Sequence, residues 1–167
     1  MKKGSLSGVL IIFFFFSTFC HAAPPTDSDI DGAVNSAESL FKAMKERDYR
    51  KIWSLVTVKS KDTIVEDIYK AEGARGRTDL TRQSISQDLG NGGPLCRSYW
   101  DGFLENFNPD TVLNQSKWDL GKFQKDRGEI VIKYRKSERP AVLQMYKEQG
   151  LWKTGLVETF WTRKPAS

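Results

Sequence analysis

A chain of 167 residues, 39% hydrophobic and 12% aromatic, has material for one packed domain plus a processing segment and is not the composition of a wholly disordered protein. The formal charge of +5 falls to +3 once Lys2 and Lys3 are set aside with the segment that carries them, a balance too mild to imply nucleic acid. Two cysteines, Cys20 and Cys96, and a single histidine, His21, leave little for metal ligation or for histidine-based catalysis.

Residues 1–23 join a basic start, Lys2 and Lys3, to an apolar run over 9–19 and the small pair Ala22 and Ala23, the pattern of a secretory signal peptide. The run is shorter than the ~20 residues that span a bilayer as a helix. Cleavage after Ala22 or Ala23 is therefore expected, with an uncleaved anchor as the alternative, and the product is exported to the periplasm or beyond. Lipid anchoring at Cys20 is not expected, because the bulky Phe19 stands directly before it. Cleavage removes Cys20 and His21 and leaves Cys96 alone, so no internal disulfide is expected. The division that follows is a signal peptide over 1–22, a flexible lead-in over 23–29 and a single α+β domain over 30–164.

The first half reads as helical. Asp29 or Asp31 is placed to cap a helix on which Val34, Ala37, Leu40, Phe41 and Met44 recur at helical spacing, ending near Arg47. Tyr49, Ile52, Trp53 and Val56 make a short second helix. Ser60 or Asp62 caps a third, carrying Ile64, Val65, Ile68 and Tyr69 and stopped by Gly73. Residues 73–77 are a loop and 78–89 a further helix, ended by Gly90-Asn91-Gly92-Gly93-Pro94. Trp100, Phe103, Leu104 and Phe107 mark a helical face within 99–107, and Asn108-Pro109 closes the helical half. The methionine and aromatic stripes read as core.

Three turn signals, at 125–128, 136–140 and 148–150, divide the remainder into four runs rich in β-branched and aromatic residues. Such short links join antiparallel neighbours, so a meander is expected, its apolar face covered by the helices. Ile130, Ile132 and Tyr134 share one face. In the last run Trp152, Thr154, Leu156, Glu158 and Phe160 share one face if the strand continues throughout. A carboxylate among these side chains needs a partner or a wet cavity, and Trp152, Glu158, Tyr134 and Phe160 are accordingly the candidate ligand-binding set. The rival readings are a twist that turns Glu158 to solvent, or a core face made by Leu151, Gly155, Val157 and Trp161.

Much chemistry is excluded for the processed chain. Without histidine there is no Ser-His-Asp or Cys-His nucleophile pair and no ordinary zinc site, and neither glycine-rich stretch has phosphate-loop spacing. No metal and no cofactor is expected. Cys96 reads as a small buried hydrophobe, with a reactive thiol as its rival. Arg75, Arg77 and Arg82 read as solvated loop residues, with a grip on an anionic ligand as theirs. Lys133, Arg135, Lys136 and Arg139 form a basic hairpin near Tyr134 and Tyr146. Export argues against nucleic acid there and leaves anionic lipid, a wall polymer or protection of a sheet edge.

The run AESLFKAMKERDYRKIWSL over 37–55 and the closing Gly150-Leu151-Trp152-Lys153-Thr154 resemble the nuclear-transport-factor-2-like superfamily, in particular its secreted members of uncharacterised function. The resemblance spans most of the processed chain but not 73–96. It implies a cone of N-terminal helices on a curved antiparallel sheet, a fold that serves enzymes and binding modules alike. Its ketosteroid-isomerase-like members use a pocket carboxylate with a tyrosine or a protonated aspartate; Asp119, Glu158 and Asp48, with Tyr49, are the residues at hand, and none stands in a recognisable catalytic motif. No catalytic residue is assigned. The expected function is a non-catalytic accessory domain that binds a small ligand or an envelope protein, with no transmembrane span after processing. The alternatives are a lyase or isomerase working through a carboxylate and a tyrosine, and a module docking by its exposed sheet face.

Overall fold

A computed structural model describes residues 25–160; residues 1–24, where a signal peptide over 1–22 is expected, with Cys20 and His21, and residues 161–167, including Trp161, lie outside the described residues. Thr26 and Asp29 form a reciprocal capping box that starts α1, Asp27–Glu46. The stretch expected as lead-in is thus already helical from Asp27, and Asp29 closes the box from inside the helix. Arg47 ends α1 in the left-handed region at φ 56°, and Asp48 then caps α2, Tyr49–Leu55, through the Lys51 N–H. Thr57 caps α3, Val58–Ala74, one turn earlier than expected, and Thr81 caps α4, Arg82–Asn91.

Gly92 carries the chain out of α4 at φ +68°, a conformation that favours glycine. Gly93 and Pro94 open α5, Pro94–Asn106, where the Asp88 carboxylate accepts the Cys96 N–H at 2.8 Å. The same asymmetry explains a missed element. Asn108 caps a short helix, α6, Pro109–Asn114, with Pro109 at its first position, where its ring starts a helix instead of closing one.

The four expected strands are present: β1 Ser116–Gln124, β2 Arg127–Tyr134, β3 Ala141–Glu148 and β4 Leu151–Gly155, in antiparallel order β1-β2-β3-β4. Each hairpin falls on one of the turn signals. A bulge between Leu120 and Phe123 shifts the β1–β2 register and sharpens the local twist. The protein is therefore of the α+β class, with seven helices among the described residues packed on a curved four-stranded sheet. No helix among the described residues is long and apolar enough to cross a membrane.

The final run departs from expectation. It stops being a strand at Gly155 and turns into α7, Leu156–Phe160. Leu156 and Val157 are both buried, which departs from the alternation expected of a strand with one covered face. A side chain at Gly155 would lie 2.7 Å from the Tyr146 ring, so the chain passes close at the point where it turns. The α7 turn also finishes the sheet. Thr159 Oγ1 accepts the Gln144 N–H at 3.0 Å, and on the other edge of β4 the Thr57 N–H donates to the Thr154 carbonyl at 3.0 Å.

The core lies between α1 and the inner face of the sheet. Leu40, Phe41 and Met44 on α1 and Ile130, Leu143 and Met145 on the sheet are essentially inaccessible. Phe41 stacks on Phe107 at 5.9 Å and meets Trp118 edge-on at 5.7 Å; Phe107 in turn touches Phe103 at 5.2 Å and Phe160 at 6.1 Å. This aromatic chain fills the space beneath the sheet.

Candidate functional site

The four residues expected to share a face are not brought together. Trp152 lies on the inner face of β4, opposite Lys147. Tyr134 ends β2 seven residues beyond Arg127, which pairs with Tyr146 beside Lys147. At ~3.3 Å per residue that places it roughly 23 Å along the sheet from the Trp152 end. Phe160 packs edge-on against Phe107. Glu158 sits in the first turn of α7, where its carboxylate accepts from Thr57 Oγ1 at 3.0 Å and Ser60 Oγ at 2.8 Å. The premise that Glu158 and Phe160 follow Trp152 along one strand is thereby corrected: the helical turn rotates both away. Glu158 has the partner that a sheltered carboxylate needs, and the partners are the hydroxyls at the start of α3.

Trp152 alone of the four lines an open groove, of about 380 Å³, between the first turns of α1 and the β3–β4 hairpin. Gly32 makes the groove's floor possible. A Cβ there would meet Trp152 Cδ1 at 2.9 Å, so only glycine lets the helix lie on the indole. The Ser36 hydroxyl donates to the Trp152 carbonyl at 2.7 Å and ties α1 to β4. The indole Nε1 is buried with no hydrogen-bond partner among the described residues. At the rim, Lys147 Nζ donates to Asp29 Oδ1 at 2.5 Å and stands 6.0 Å from the Trp152 ring. The groove thus combines an aromatic floor, a sheltered donor and an ion pair whose members are only 28% and 17% exposed. Sequence reading found Trp152 but not Asp29, Gly32, Ser36 or Lys147. The one local signal was a glycine inside a helical pattern, a mark of close approach.

The ion pair has a measurable consequence. Hydrogen bonds from Lys147 and then Thr26 hold the Asp29 carboxyl below the usual carboxylate range. A carboxyl whose folded pKa is depressed adds stability above its unfolded value, about 3.9, and loses it as pH falls through the folded value. The difference in urea midpoint between the parent and Asp29→Asn is expected to be largest near neutrality and to shrink below about pH 4. A difference that stays constant down to pH 2 would remove the Lys147 contact as its cause.

The other carboxylates considered are occupied. Asp119 lies beside Val131 on the outer face of the sheet, paired with Lys133 at 2.9 Å and Lys117 at 3.2 Å. Asp48 caps α2, and the Tyr49 hydroxyl donates to Asp101 at 2.6 Å. The three arginines expected as solvated loop residues are not loose either, and Arg82 opens α4. Arg75 and Arg77 both reach Glu72, and Arg82 grips Glu66 through two nitrogens while lying 4.0 Å over the Tyr69 ring. A second cleft, of about 290 Å³ between α3 and α5, holds Asp67, Glu72 and Tyr99. Burial pushes the Tyr99 phenol well up, with Asp67 adding to it. Among the described residues no group of three His, Cys, Asp or Glu is placed to hold a metal ion.

Cys96 is fully buried in α5, and burial, followed by the Asp88 charge, pushes its thiol up to about 11. The thiolate is the reactive form, so native protein is expected to label with a thiol reagent far more slowly than protein in denaturant. Equal rates in the two states would overturn the buried placement.

Comparison with known protein families, with curated proteins and with solved structures finds no match to this chain. The class defined by the fold is α+β, and the site must be read from its own geometry.

Proposed function

We propose that this chain is an exported, non-catalytic accessory domain of the nuclear-transport-factor-2-like type, and that it holds a small ligand or an envelope partner in the groove floored by Trp152. The observation that carries the reading is the aromatic filling of the cone: Phe41, Phe107 and Trp118 pack where a carboxylate and a tyrosine would otherwise need an open pocket. The groove supplies what a binding site asks for, an apolar floor with a few convergent polar groups. The enzyme reading is favoured by one feature, the α3–α5 cleft with Asp67 beside Tyr99, but its Glu72 is engaged by two arginines.

Native mass spectrometry of envelope-extracted protein tests both halves. The expected species starts at Ala23 or Pro24 and retains a bound small molecule or partner that Trp152→Phe, which shrinks the aromatic floor and removes the indole N–H, releases more easily. A chain retaining residues 1–22, or a lipid adduct at Cys20, would overturn export by a cleaved signal. Isomerisation or dehydration of an enolisable ketone, abolished by Tyr99→Phe, would replace the binding reading with the enzymatic one.

A further inference from the structure

We infer that the cleft between the α1–α2 corner and the start of α5 is an oxyanion site, built for a phosphate or phosphoryl group. It lies apart from the Trp152 groove and does not depend on it. Its volume is about 260 Å³, and Arg47, Arg50 and Arg97 line it with Asp48 as the carboxylate in its wall. Asp48 is already engaged, because its Oδ1 caps α2 through the Lys51 N–H. Arg47 is matched by Asp101. Arg50 and Arg97 have no ion pair among the described residues, so the cleft carries excess positive charge, which repels itself until an anion enters.

The positioning of Arg50 is the more specific observation. Its Nε donates to the Asn91 carbonyl at 2.7 Å, which anchors the guanidinium from behind while its two terminal nitrogens keep their donors. Its side chain crosses the turn at Gly92, where a Cβ would come within 3.2 Å of Arg50 Cγ and where φ is +68°. Glycine at 92 therefore serves the turn and the arginine together. The Gly90 to Pro94 run, which matches no phosphate-loop spacing, here acts as a seat for an arginine. Fixed planar forks favour tetrahedral oxyanions and carboxylates over a spherical ion. The adjoining start of α5 adds nothing to this, because the Asp88 carboxylate already takes the Cys96 N–H there; the anion would be held by the arginines.

The phosphoryl group has two possible sources, a soluble phosphate compound or the headgroup of an anionic lipid, and the experiment separates them. The purified protein is titrated calorimetrically with inorganic phosphate and with glycerol phosphate at constant ionic strength set by chloride, and is sedimented with phosphatidylglycerol vesicles. Saturable phosphate binding is expected, at least tenfold weaker in Arg50→Gln and in Arg97→Gln. Both residues are exposed, and unchanged melting midpoints without phosphate serve as the control for folding. Binding to glycerol phosphate in solution assigns a soluble ligand; binding to vesicles alone assigns a headgroup, and the same two variants must weaken it. No saturable binding to either source, or equal binding by the Arg50→Gln/Arg97→Gln double variant, overturns the site.

Discussion

Phe41→Ala is expected to lower stability by about 3–5 kcal/mol, a large part of the roughly 5–15 kcal/mol that holds a typical domain folded. Phe41 is 1% exposed, and its ring joins three elements: α1, which carries it, Phe107 just beyond α5, and Trp118 on β1. Removing it empties the volume at the centre of the aromatic chain. The rings around it are held by their own backbones, so the site collapses poorly and the cavity term adds to the lost transfer energy. Urea denaturation followed by far-ultraviolet circular dichroism measures the change. A loss under ~1 kcal/mol would mean that the rings repack and that the cone interior is not filled as described. Trp100 provides a contrast. It is fully buried, but its ring meets Tyr99 and Phe103 edge-on at 5.1 and 5.7 Å, and its indole N–H has at most the weak acceptor Cys96 beside it. Trp100→Phe keeps an aromatic ring there, so the lost ring volume should be the main cost.

The helices and the meander were legible in the sequence because their signals are local. The period of Leu40, Phe41 and Met44 marks α1, and the Lys125-Asp126-Arg127-Gly128 and Glu148-Gln149-Gly150 turns mark hairpins at their observed places. Caps were misplaced by a turn, because Thr26 and Thr57 compete with nearby aspartates and serines and only the path of the incoming chain decides between them. The end of β4 was not legible. Leu156 to Phe160 fits alternation as well as a single helical turn, and what selects the helix is distant: Ser60 Oγ waiting for the Val157 N–H at 3.1 Å and Gln144 waiting for Thr159. The candidate site suffered most, since three of its four members were grouped by a strand register that stops at Gly155. Phe160 also proves half-buried, so its truncation should cost less than that of Phe41.

Thr57→Ala is expected to destabilise by about 2–4 kcal/mol. Thr57 is 1% exposed and its Oγ1 accepts the Ser60 N–H, a cap worth ~1–2 kcal/mol. The same hydroxyl lies 2.8 Å from Ser60 Oγ and 3.0 Å from Glu158 Oε1, and hydrogen bonds to a charged acceptor contribute roughly 1.5–3 kcal/mol. The carboxylate of Glu158 also sits at the positive end of α3, a 17-residue helix, and Glu148 accepts the Val58 N–H there at 3.1 Å. The start of α3 is therefore the point at which α7 and the β3–β4 hairpin are both fastened to the helical layer. Glu158→Gln keeps an acceptor oxygen and should cost less than Glu158→Ala. A Thr57→Ala/Glu158→Ala double-mutant cycle should return a coupling of about 1–2 kcal/mol, within the range for residues in direct contact. Additive losses would show that the two side chains stabilise the fold separately, and would return Glu158 to consideration as a residue kept for binding.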